Sequence, residues 1–357
     1  IKRPGYVNLG KYIFDKDVWL TDDVTITDDT VTIKSDDSFT GTTAVDNVTD
    51  ESILCFKAKM NTKGWIGLGI NSAPEIPLYG PGNAGYFIAI KDGTIELQKN
   101  PGSRSEILEI KEFKAVNDDD FHDYQYGVVK LGAGNLIHLK IDGETVFEWL
   151  DTTDNAVTTE KLSLSVHYSS LGVTFMAADD LPEHIEYEEL IKKYKLEAAK
   201  ACYERYTNAE NLVMMKIGCS AVISPESYEI KSDVSPEIIN NKTLVPLRFV
   251  SEIFGAEVKW ENNKAIIVKD GRIFEFKPNE DYYIVDDEIV KMEQGTVIKN
   301  NRMLIPVRDI SEALGKEVIW DEPNELILIG DVIGIVQMNS KELLKRSGEA
   351  IQMLSEM

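Results

Sequence analysis

Apolar and polar residues alternate along most of the first half of the chain. Tyr86-Phe87-Ile88-Ala89-Ile90-Lys91 and Thr94-Ile95-Glu96-Leu97 flank Asp92-Gly93, and Ile137-His138-Leu139-Lys140-Ile141 and Glu144-Thr145-Val146-Phe147 flank Asp142-Gly143. A period of two marks strands with one buried face, and Asp-Gly between two such runs marks a tight hairpin. About a dozen short strands of this kind before residue 178 predict an antiparallel sandwich. Ile53-Leu54-Cys55-Phe56 reads as a buried strand.

The period then changes. Leu181, Ile185, Ile191, Tyr194, Ala198, Ala201 and Cys202 recur near helical spacing after Asp179-Asp180. With Pro182 in its first turn, a helix of about 25 residues is predicted to Tyr206. Leu212-Val213-Met214-Met215-Lys216-Ile217 reads as a strand. At the end, Asn339 caps a helix with Glu342 at the capping-box position, and Leu343, Leu344, Ile351 and Leu354 give it an apolar face. The fold class is therefore mainly β: an N-terminal antiparallel sandwich (residues 1–180), a helical connector (181–210), an α+β repeat domain (211–333) and a C-terminal helix (334–357).

The repeat is the most specific pattern. Asn241-Lys242-Thr243-Leu244-Val245-Pro246-Leu247-Arg248-Phe249-Val250-Ser251-Glu252-Ile253-Phe254-Gly255 returns as Asn301-Arg302-Met303-Leu304-Ile305-Pro306-Val307-Arg308-Asp309-Ile310-Ser311-Glu312-Ala313-Leu314-Gly315, an offset of 60 (306 − 246). Each copy reads as strand, short helix, strand. Pro246 and Pro306 suit a helix start, and Gly255 and Gly315 suit its left-handed end. Leu247, Val250 and Phe254 share one helical face. Trp260 and Trp320 each lie on the strand that follows and are expected in the core. Arg248 with Glu252, and Arg308 with Glu312, stand four residues apart; they read as structural ion pairs or as an anion site, with the ion pair preferred. Phe249 and Ile253 become Asp309 and Ala313, so the first helix is expected to be covered on a side where the second faces water.

The Leu-Val-Pro-Leu-Arg…Ser-Glu…Phe-Gly-Ala…Val-Lys-Trp pattern resembles the copper amine oxidase N-terminal-like domain over about residues 215–332. That resemblance implies a secreted or cell-surface protein of a Gram-positive bacterium and an accessory, non-catalytic module. No copper is expected, because His122, His138, His167 and His184 all lie outside the segment. The hairpins of the first half, with Gly64-Trp65-Ile66-Gly67-Leu68-Gly69-Ile70 and the late strand Leu162-Ser163-Leu164-Ser165-Val166-His167-Tyr168, resemble a concanavalin A-like (laminin G-like) jelly roll over about residues 7–178. That class implies glycan binding first and glycoside hydrolysis second.

Composition narrows this further. The net charge of −23 repels nucleic acid and anionic membranes. No apolar run reaches the length of a membrane span, so no membrane insertion is expected. Recurrent aspartates, such as Asp118-Asp119-Asp120, leave room for a structural calcium ion without forming an EF-hand. Cys55, Cys202 and Cys219 match no zinc spacing and are expected as free buried thiols.

Sugar binding needs aromatic faces beside amides and carboxylates. The long Gly- and Pro-rich loop from Asn71 to Tyr86 offers Glu75, Tyr79, Asn83 and Tyr86, and the late strand offers His167 and Tyr168. Trp65 reads as core. Hydrolysis needs two carboxylates on one cleft, and the Glu-x-Asp-x-Glu strand of jelly-roll glucanases is absent. No catalytic residue is assigned, and the chain reads as non-enzymatic. The reading is an extracellular or cell-surface, acidic, glycan-binding protein whose partner is a polysaccharide or cell-wall glycan. A sugar-active enzyme with a divergent site is the alternative; a protein–protein adhesion module is the second.

Overall fold

A computed structural model of the chain describes residues 5–15, 17, 19, 23–35, 40–45, 52–60, 65–71, 84–103, 105–153, 162–167, 169–204, 212–224, 230–331 and 341–356. The chain forms two compact units, Ile1–Tyr194 and Lys195–Met357, which divide inside one helix, His184–Glu204. That helix starts two residues after Pro182 rather than around it.

The first unit is the expected sandwich. Its larger sheet runs Glu144–Asp151, Asn135–Ile141, Phe121–Lys130, Ser52–Met60, Ser169–Ala177, Val31–Ser35, Val24–Ile26 in space. Gly5–Asn8 lies parallel beside Ser52–Cys55, next to the Phe56–Met60 stretch that Ser169–Ala177 pairs. The second sheet runs Thr40–Val45, Leu162–His167, Trp65–Asn71, Ala84–Lys91, Thr94–Pro101, Glu106–Glu112. One core joins both: Leu54, Phe56, Tyr124, Leu139 and Phe175 from the first meet Ile66, Leu68, Ile88, Leu97 and Val166 from the second. The hairpin at Asp142-Gly143 has φ of 50° and 78°, the doubly left-handed turn that suits strand twist.

The part of the helix that belongs to this unit, up to Tyr194, lies against the larger sheet. Tyr187 packs edge-on against Tyr6 at 5.9 Å, and the Tyr194 hydroxyl donates to Glu148 at 2.7 Å. His138, paired with Glu148 on the neighbouring strand, is completely buried. Its ring nitrogens, and the hydroxyls of Tyr124 and Tyr126, find no hydrogen-bond partner among the described residues.

The second unit is more symmetric than the sequence motif implies. Strands Lys242–Pro246 and Arg302–Pro306 pair antiparallel with Val245 opposite Ile305, so an approximate twofold passes between equivalent residues. Glu237–Ile239 and Val297–Lys299 flank them with identical registers. Two five-stranded sheets complete the unit. One joins Glu257–Glu261 and Lys264–Lys269 to Arg272–Phe276, Tyr282–Val285 and Glu288–Lys291; the other joins Glu317–Asp321 and Leu326–Gly330 to Val213–Lys216, Ala221–Ile223 and Ile230–Lys231. The repeat therefore spans about 60 residues rather than the 15 from Asn241 to Gly255, and each sheet takes two strands from one copy and three from the other. Asn240-Asn241 and Asn300-Asn301 form the same turn, with φ near 49° and 61° in each. The ion pair of Asp233 with Arg302 is matched by that of Glu293 with Lys242, 60 residues away at each end.

The short helices are Leu247–Ile253 and Val307–Ala313, each preceded by its proline in an extended conformation. Gly255 and Gly315 take φ of 74° and 69°, and each donates its N–H to the carbonyl of Glu252 or Glu312. Phe249 and Asp309 are both half-buried, as are Ile253 and Ala313. The expected contrast in cover between the two helices is thus not found; the smaller side chains of the second copy sit as deep as the larger ones of the first.

The C-terminal helix is Lys341–Glu356, packed on Val213–Lys216 and Ala221–Ile223. The Ser355 hydroxyl accepts the Ala221 N–H at 2.9 Å. Asn339 and the side chains of Glu342 and Leu343 lie outside the described residues. Cys55, Cys202 and Cys219 are free and buried, with Cys202 Sγ 3.1 Å from Ser347 Oγ.

Candidate functional site

The six-stranded sheet of the sandwich has one face in the core and one turned away. Tyr86, Ile88 and Ile90 point inward, so Phe87, Ala89 and Lys91 point outward. Trp65 joins them there, edge-on to Phe87 at 5.7 Å, with Lys91 Nζ 5.9 Å from its ring centre. Half-buried on an outer face, Trp65 is not in the main core as expected.

Beside these aromatics runs a chain of polar groups. Lys91 Nζ donates to Glu96 Oε1 at 2.6 Å, Gln98 Nε2 donates to Glu96 Oε2 at 3.1 Å, and the Ser105 hydroxyl donates to Gln98 Oε1 at 2.8 Å. Glu96 and Gln98 are outward members of Thr94–Pro101, whose Ile95 and Leu97 point to the core. The sequence carried this signal in its alternation after Asp92-Gly93, but not the pairing that places Glu96 beside Ala89 and Gln98 beside Phe87. On the other side Gly67 and Gly69 pair with Ser165 and Ser163.

The predicted sugar-site residues fare differently. Glu75, Tyr79, Asn83 and Tyr168 lie outside the described residues, as does the His167 side chain. The His167 backbone pairs with Trp65, which puts it on the sheet under discussion. Tyr86 is overturned as a surface candidate: it is 1% exposed and donates its hydroxyl to Asp151 Oδ2 at 2.6 Å. Lys99 Nζ also meets Asp151 Oδ2 at 2.6 Å, and Thr153 donates to Oδ1. The alternation that makes Phe87 outward makes Tyr86 inward, and this buried cluster satisfies a charge pair that would otherwise be costly.

Among the described residues of the sandwich, four carboxyls are held low. Burial works against the Asp151 carboxylate, but hydrogen bonds from Lys99, Thr153 and Tyr86 outweigh it. Asp142 is held to about 2: burial opposes its charge, and Lys114 and His122 override that. Burial likewise opposes the His122 imidazolium, yet hydrogen bonds to Asp142 at 2.7 Å and Asp118 at 3.0 Å hold its pKa up. Glu148, bound by Tyr194 and Lys193, and Asp118, bound by His122, are also lowered. A general acid for glycoside hydrolysis needs the opposite shift. Among the described residues no three His, Cys, Asp or Glu side chains converge as a metal site.

In the repeat unit neither expected ion pair forms. Among the described residues Arg248 has no ion-pair or hydrogen-bond partner, and neither Arg248–Glu252 nor Arg308–Glu312 is within 4.0 Å. Trp260 and Trp320 are 47% and 39% exposed, not core. Each sits one residue from the end of an edge strand of its sheet.

Residues 226–329 match the family model of the copper amine oxidase N-terminal domain. Among solved structures, a prokaryotic β-1,3-1,4-glucanase (lichenase) from a mouse hindgut metagenome is 14% identical, with 48% of this chain and 95% of that chain covered and a TM-score of 0.36. The carbohydrate recognition domain of Emp46p is 11% identical, covering 48% and 93%, with a TM-score of 0.36. A carbohydrate-binding module from Bacillus subtilis is 13% identical, covering 44% and 87%, with a TM-score of 0.27. No curated protein matches the chain.

Proposed function

We propose that this chain, whose residues 226–329 are of the copper amine oxidase N-terminal type, is a non-catalytic carbohydrate-binding protein that works outside the cell. The observation that carries the reading is the outer face of the six-stranded sheet. There the Trp65–Phe87 pair stands beside the Ser105–Gln98–Glu96–Lys91 chain of fixed donors and acceptors. An indole face packs against sugar C–H groups, and pre-oriented amide and carboxylate groups select hydroxyls. Gly67, Gly69, Phe87 and Ala89 are buried, so the half-buried Trp65, Lys91, Glu96, Gln98 and Ser105 are the groups this face offers a ligand. Both Glu96 oxygens are engaged, which suits recognition better than proton transfer.

A glycan array probed with the full chain tests this. Binding that Trp65→Ala weakens about tenfold, without release of reducing ends, is the expected result. Release of reducing ends from a bound glycan overturns the non-catalytic reading; no glycan bound, with or without calcium, overturns the whole.

A further inference from the structure

The repeat unit contains a cleft of about 1070 Å³ that its accessory role does not use. It lies where the two copies meet. Arg248, Phe249 and Trp260 come from the first copy, and Asn279, Asn301 and Arg302 come from the second. Its volume is at the upper end for small-ligand sites, room for several linked rings.

Three features define what fits. The Trp260 indole presents an open aromatic face at the rim. Asn263, Asn279 and Asn301 ring it, each exposed and in a left-handed turn with φ of 58°, 62° and 61°, so the backbone brings each amide to the rim. The charges balance: Arg302 is paired with Asp233, and Arg248 and Glu252, both exposed and on successive helical turns, are not bonded to each other. An aromatic platform ringed by amides, with one donor-only and one acceptor-only group to spare, matches the hydroxyl pattern of a sugar. A polyanion is disfavoured because the whole chain carries −23.

The second copy keeps Arg308, Glu312 and Trp320 but differs at two points of this lining. Where Phe249 lines the cleft, the twofold places Asp309, and burial with the charges of Glu312 and Glu293 pushes that carboxyl up to about 6. The two-residue turn at Asn262-Asn263 becomes the longer Glu322–Asn324 turn, against which the C-terminal helix packs.

We propose that the cleft at Trp260 is a binding site for a neutral oligosaccharide, separate from the sandwich face. The test is calorimetric titration of the full chain with cello-, laminari-, xylo- and chito-hexaose. The expected result is a binding event whose Kd rises at least about tenfold in Trp260→Ala and severalfold in Arg248→Gln. Trp320→Ala, at the equivalent position, is expected to stay within about twofold, with Tm reported for every variant. Binding lost in Trp260→Ala but kept in Trp65→Ala supports the cleft and counts against the sandwich reading. Binding lost in Trp65→Ala and untouched by Trp260→Ala overturns the cleft and leaves the sandwich reading intact. No binding of any of the four sugars overturns the cleft proposal, and so does Trp260-dependent binding of only an acidic oligosaccharide or a peptide.

Discussion

The two copies of the repeat share a scaffold and differ at one flank of the short helix and at one turn. Both keep the proline before the helix, the buried serine whose hydroxyl donates to the carbonyl four residues back at 2.7 Å, and the glycine after the helix. Both keep the Asn-Asn turn and the ion pair across the twofold. What changes is position 249 against 309, aromatic against acidic, and the turn at Asn262-Asn263 against Glu322–Asn324. Residues that make the unit are retained where the backbone demands them, and Arg248, Glu252 and Trp260 recur as Arg308, Glu312 and Trp320, so the copies part at the helix flank and the turn.

The strongest way to break this comparison is at the axis. Val245 and Ile305 face each other there, both fully buried. Ile305→Ala is expected to cost about 3 kcal/mol and Val245→Ala about 2 kcal/mol in urea unfolding. If one of them proves silent, the twofold is not a shared core.

Next comes Asp309. Its pKa is raised by burial and by Glu312 and Glu293, so it is easier to keep protonated in the folded state. The associated stability is full below the unfolded value of about 3.8 and is lost as pH rises through about 6. Asp309→Phe, which restores the residue of the first copy, is expected to stabilise the unit by about 1–2 kcal/mol at pH 7.5, water screening having reduced the full linkage value, and to gain little of that at pH 3.5. An equal gain at both pH values would mean packing, not charge, separates the copies.

The sandwich gives the opposite sign. Burial holds His138 down to about 4, with Glu148 opposing and Lys140 assisting. The folded state then binds fewer protons than the unfolded one between pH 6.5 and 4, so stability falls with acid across that window. His138→Phe is expected to remove that fall, read as the Tm of the sandwich against pH.

The smallest effect is expected at the symmetric ion pairs. Asp233–Arg302 and Glu293–Lys242 are exposed, so Asp233→Asn and Glu293→Gln should each leave Tm within about 1–2 °C. A large loss at one only would show that the copies rest on unequal foundations.

Much of the fold was legible along the chain. The Asp-Gly hairpins, the sandwich, the proline-to-glycine helices and the buried thiols all follow from local period and turn chemistry. Candidate sites were less legible. Tyr86 and Phe87 look alike in sequence, and only sheet pairing shows which one Asp151 captures and which one meets Trp65. Trp260 was expected in the core because tryptophans on strands usually are; that its strand ends its sheet, paired with Lys264–Lys269 on one side, is a fact about pairing, not about the strand itself. The Arg248–Glu252 pair had the right spacing and did not form, since spacing allows a contact without making it favourable.

By itself, the sequence determined which segments are strands and helices, where turns must be left-handed, and that one unit is used twice. These are local demands of backbone geometry and hydrophobic period. Tertiary structure alone decided that each repeat lends strands to the other, that Val245 meets Ile305, and that a cleft opens at the seam with Trp260 at its rim. Such features arise from contacts between residues far apart in sequence, and no local pattern encodes which surface will remain uncovered once those contacts are made.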